Sequence, residues 1–247
     1  MKVRIKFKKY GALRFIGHLD VMRFFQKAIR RSEIPIAFSE GYSPHMIMSF
    51  ASPLGIGLTS EGEYFDIELK SPIESTEAAA RLNAQMVEGM EVVSFRRISD
   101  EKKATGMAIV AAADYLIRIR KGALPDGWQK KITEFTAQPE IRIVKQTKRS
   151  EKEVDIKPLI YQMDARDRQI YILAASGSAE NLKPDLVMEA FCCFLGIQKE
   201  EIESGALAFA YHRIELYADA GDSSCRKLVS LESLGTEITK QDPDIED

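Results

Sequence analysis

His18 and His45, two of the three histidines in this 247-residue sequence, each stand in a turn of small residues. The turns read Gly17-His18-Leu19-Asp20 and Gly41-Tyr42-Ser43-Pro44-His45. Imidazole is the side chain whose ordinary pKa lies near neutrality. Two imidazoles with a carboxylate from Asp20 or Glu63 therefore have the composition of a general acid–base centre. In a basic setting the chemistry would be metal-independent RNA cleavage or a related phosphoryl transfer, with His18, His45 and Asp20 as the candidate catalytic residues. The competing reading gives the same residues structural work. His18 or Asp20 would then satisfy free N–H groups at a helix start, and His45 would bond its own loop. A third reading is ligand binding without bond-making, in which Ser43 takes part. A metal site from the two histidines and one carboxylate lacks any supporting spacing.

The setting is basic. Residues 1–50 hold ten Lys+Arg against three Asp+Glu, a local balance of +7 in a chain whose formal net charge is −2. Residues 101–150 again carry an excess, eleven against five. Such polarisation points to a polyanionic partner. The candidate phosphate contacts are Arg4, Lys6, Lys8, Arg14, Arg23, Arg30 and Arg31 in the first half, and Arg118 and Arg120 in the second. The segment Lys145–Lys157 could add an arm along a nucleic-acid backbone through Lys145, Lys148, Arg149 and Lys152. Its alternative is an exposed, salt-bridged hairpin or long strand connection whose charges prevent edge aggregation.

The elements that must position these groups follow from hydrophobic period. Val3, Ile5 and Phe7 alternate with Lys2, Arg4, Lys6 and Lys8, which predicts a strand with one basic face. Val21, Met22, Phe25, Ala28 and Ile29 fall at helical spacing and predict a helix over Leu19–Arg31. Strands are expected at 34–38, 64–69 and 91–98, with a long connection over 39–60 and a helix over 75–87. In the second half, strands are expected at 115–120, 141–144, 169–174 and 210–218. Helices are expected after Asp126 and over 181–195. Each half reads β-α-β-β-α-β, so the expected fold is α+β with two tandem ferredoxin-like domains, 1–106 and 107–218. An acidic, mostly disordered tail, 219–247, would follow. In such a fold Lys2, Arg4, Lys6 and Lys8 project from the open sheet face, as cations do on RNA-binding sheets, but no aromatic stacking pair accompanies them.

Much else is excluded. There is no GxxxxGK[ST], GxGxxG, GxSxG or HExxH motif. Cys192 and Cys193 are adjacent and Cys225 stands alone, which leaves no framework for zinc or an iron–sulfur cluster. No cofactor is expected. The longest apolar run, Met107–Ala113, cannot span a bilayer, and the N-terminus lacks the apolar block of a signal peptide, so the expected location is the cytoplasm, away from any membrane.

RFIGHLD with its basic helix, then PIAFSEGYSPH, SFASPLGIG and SEGEYFDIEL, resembles the bacterial radical-SAM-linked protein family over roughly residues 1–210. Members of that family occur beside, or fused behind, a B12-binding radical SAM enzyme. The family pattern has Pro-Lys after the second histidine, where this chain has Met46 and Ile47. The resemblance implies a radical SAM protein as partner. The expected function is then a non-catalytic accessory protein that binds RNA (tRNA or rRNA) or another anionic substrate, in the setting of RNA modification. The alternative is the metal-independent ribonuclease described above.

Overall fold

Alternation does produce the first strand: in the computed structural model, which describes residues 1–146, 151–222 and 225–242, β1 runs over Lys2–Lys9. Two compact units emerge, Met1–Ala111 together with the chain from Glu215 onward, and Ala112–Ile214. The protein is α+β.

In the first unit a 3-10 turn (Gly11–Phe15) leads into α1 (His18–Arg31). β2 (Met48–Phe50), β3 (Thr59–Glu68), α2 (Ser75–Asn83), β4 (Met90–Ile98) and the single turn α3 (Gly106–Ile109) follow. The strands are antiparallel in the order β4-β1-β3, with β2 also on β3. Val3, Ile5 and Phe7 face the core with Val21, Phe25 and Ile29 of α1 and Ala78 and Leu82 of α2. Phe7 meets Phe25 edge-on at 4.7 Å between ring centroids, and Phe25 meets Phe65 at 4.6 Å. Such aromatic pairs add to the burial of their area.

The strand expected at 34–38 is reduced to two isolated bridges, Ile36–Leu69 and Phe38–Met46. Pro35 has no N–H for a ladder, and the pairing strand proves to be β2, inside the expected connection. α2 stops at Asn83 rather than Val87 because the Asn83 amide pairs with the backbone of Val92 through two 2.8 Å bonds.

The second unit contains β5 (Val110–Lys121) from Ala112 on, α4 (Trp128–Thr136), the hairpin β6 (Arg142–Gln146) and β7 (Glu151–Asp155), β8 (Ile160–Arg166), β9 (Gln169–Ala175), α5 (Pro184–Phe194), α6 (Lys199–Glu203) and β10 (Ala208–Asp219) as far as Ile214. Its strand order is β10-β5-β9-β8. The 141–144 stretch pairs with its own hairpin partner instead of entering this sheet, and β8 takes the place expected for it. Phe135 of α4 and Phe191 of α5 pack at 5.2 Å.

The tail corrects an expectation. β11 (Leu228–Ser230) pairs with β10, and β12 (Thr236–Glu237) pairs with β4. Leu231 and Ile238 are buried. A few spaced apolar residues suffice to dock a segment whose composition alone reads as solvated.

Candidate functional site

The basic face of β1 is closed. Register sets Arg4 opposite Asp66 and Lys6 opposite Tyr64 on the side away from the helices. Arg4, 2% exposed, grips Asp66 with two bonds, Nε to Oδ1 at 2.8 Å and Nη2 to Oδ2 at 3.0 Å. It also donates to the carbonyls of Ala104 and Leu231. Asp66 accepts a further bond from Gly106 N–H at 2.7 Å. Lys6 Nζ donates to Glu215 at 2.7 Å and to Glu232 at 2.9 Å, while Tyr64 O–H donates to Glu215 at 2.6 Å. Arg96 lies beside Glu232 at 3.9 Å and Glu237 at 3.4 Å. Lys8 pairs with Glu91. The expected open face is thus a layer of paired charges covered by the tail, and Arg4 and Lys6 offer nothing to a phosphate. Alternation could not show this, because their carboxylate partners come from β3, β10 and the tail.

His18 opens α1, whose N-cap is Gly17 with no side-chain cap. Its ring stands edge-on to Phe50 at 4.8 Å. It lines a cavity of ≈ 10 Å³ with Phe7, Lys9, Val21, Phe50 and Glu63, about the room of one water. Lys9 and Glu63 are both buried, and Lys9 Nζ donates to the carbonyl of Ile16 at 2.9 Å. Sequence reasoning missed Lys9, although strict alternation already placed it on the face of Phe7. Burial pushes the His18 pKa down, against the opposing charge of Glu63. The folded state therefore prefers neutral imidazole, and stability falls as pH drops below about 6.5, where the unfolded chain takes the proton first. A proton NMR titration should find His18 below 6.5, and a normal or raised value would contradict this account.

His45 is exposed and committed to its loop. Its Nδ1 bonds Ser39 Oγ at 2.8 Å, and its carbonyl accepts from Ser39 N–H at 2.8 Å. Ser43 is exposed in the same loop, and Asp20 points outward to Arg23 at 3.5 Å. The structure does not assemble His18, His45 and Asp20 into one centre. Among the described residues no cluster of three His, Cys, Asp or Glu side chains could hold a metal.

Exposed cations lie instead on the outer side of α1. Arg23, Lys27 and Arg30 follow one helical stripe, with Arg31 beside them. Lys27, Arg30 and Arg31 have no ion-pair partner among the described residues. Arg30 and Arg31 also complement the helix C-terminus. At the other end of the stripe stand Leu19 and Phe15, 58% and 60% exposed, with the Arg14 guanidinium 4.6 Å from the Phe15 ring centroid. Exposed Ile56 sits near Gly17 and closes this aromatic and aliphatic patch. In the second unit Arg118 and Arg120 are exposed. Lys148 and Arg149 lie outside the described residues. Among those described, no helix is long and apolar enough to cross a membrane.

A crystal structure of a Cbf5-Nop10-Gar1 complex contains a chain similar to this one at a TM-score of 0.46 and 11% identity. The similarity covers 87% of this chain and 48% of that one, so this chain spans about half the length of its structural match. No curated protein matches. The model of a family described as an uncharacterized protein conserved in bacteria (DUF2344) matches residues 2–184, and the chain belongs to that family.

Proposed function

We propose that this DUF2344 protein is a non-catalytic accessory that binds RNA through the outer face of α1. The observation that carries the reading is the stripe of Arg23, Lys27 and Arg30, with Arg31 beside it and the Arg14–Phe15 pair in the turn that precedes the helix. Backbone phosphates suit the cations, and Phe15 offers the stacking surface that the covered sheet lacks. Arg118 and Arg120 form a second cationic patch. Each unit is read as a ferredoxin-like half, supported by its strand order. The resemblance to radical-SAM-linked proteins supplies the setting: presentation of tRNA or rRNA to a B12-binding radical SAM enzyme in the cytoplasm.

Titration against total tRNA at two salt concentrations tests the reading. Affinity should fall steeply with salt, and Arg23→Glu with Lys27→Glu and Arg30→Glu should lower the slope by roughly three, one for each phosphate no longer neutralised. The RNA should stay intact throughout. Absence of binding at low salt, or a slope unchanged by the triple variant, would remove the proposal.

A further inference from the structure

We propose that the second unit carries a separate binding cleft for a nucleoside monophosphate. The cleft, ≈ 690 Å³, is formed where β5, the β8–β9 turn and the start of α4 converge. That size lies within the range of small-ligand sites. Arg118 pairs across the ladder with Gln169, so the two side chains share a face, and Arg168 precedes Gln169 in the turn, where Asp167 adopts φ 53°. Both arginines line the cleft, both are exposed, and neither has an ion-pair partner among the described residues. Two arginines without an acidic partner in the lining of one cleft favour an anion there. Phosphate geometry matches the guanidinium fork.

The rest of the lining favours an organic phosphate over the bare ion. Trp128 and Leu124, each 7% exposed, form an apolar floor. Asp126 lies at the wall without neutralising either arginine, which leaves its carboxylate to accept hydroxyl donors such as those of ribose. At the rim Gly122 turns the chain at φ 76°, where a Cβ would lie 2.8 Å from the Ala206 carbonyl oxygen. The cleft shares Arg118 with the second cationic patch of the RNA reading, but it does not depend on that reading, whose main surface is α1 in the other unit.

Trp128 is the only tryptophan, so its fluorescence reports on the cleft directly. Titration with AMP and with inorganic phosphate, repeated by calorimetry, is the test. AMP should produce a saturable change, weakened about tenfold or more by Arg118→Ala and again by Arg168→Ala. Asp126→Asn should weaken AMP but not phosphate. AMP that binds no better than phosphate, affinity retained in the double arginine variant, or no signal by either method at millimolar AMP overturns the proposal. Loss of tRNA affinity in the arginine variants without AMP binding would make the cleft an RNA phosphate site, and the nucleotide proposal would fall.

Discussion

Arg4→Ala should cost about 3–5 kcal/mol, the usual penalty for stranding one partner of a buried ion pair. For a chain of this size that corresponds to a fall in Tm of roughly 6–20 °C. The variant leaves Asp66, only 5% exposed, with the Gly106 N–H but without its guanidinium, and it removes the donors to Ala104 and Leu231. Asp66→Ala should be equally severe, since it buries a lone guanidinium. The pair Arg4→Met with Asp66→Leu should regain most of the loss, because two apolar side chains leave no charge unpaired. Thermal melts of the three variants decide the matter. A single variant with a loss below about 1 kcal/mol would mean that water reaches the pair, as at an exposed salt bridge.

Ending the chain after Lys227 should have the largest effect of all. Leu231 and Ile238, 0% and 3% exposed, would each forfeit about 1.5–3 kcal/mol of burial. Ile238 would also lose its two backbone bonds to Ser75, at 2.8 Å to Oγ and 2.9 Å from N–H. Lys6 and Arg96 would lose Glu232, and Arg96 would lose Glu237 as well. The urea midpoint should drop accordingly, and equal midpoints for the two lengths would show that the tail does not dock. A gentler variant isolates the charge. Burial pushes the Glu232 carboxyl up, but the Lys6 hydrogen bond, with Ser94 and Arg96, prevails and holds it below the usual carboxylate range. Its contribution is present above about pH 4.5 and disappears as pH falls through the lowered folded value. Glu232→Gln should flatten that part of the acid stability profile.

The α+β character and most elements were readable from the sequence because they depend on local period. The alternation of Val3, Ile5 and Phe7 made β1, and the 3.6-residue spacing of Val21, Phe25, Ala28 and Ile29 made α1. The turns at His18 and His45 were legible too, as small-residue punctuation. The fate of the charges was not legible. Whether Arg4 meets a phosphate or Asp66 depends on β1–β3 register, and whether Lys6 meets water or Glu232 depends on a tail more than two hundred residues away. Local pattern contains neither distance. The same limit applies to His18 and His45: their residue types suggested one acid–base centre, but the first packs edge-on to Phe50 and the second bonds Ser39. Sequence determined which groups carry charge and which element bears them. Only the tertiary structure decided which charges are spent on one another, because pairing and burial are properties of residues brought together from distant strands.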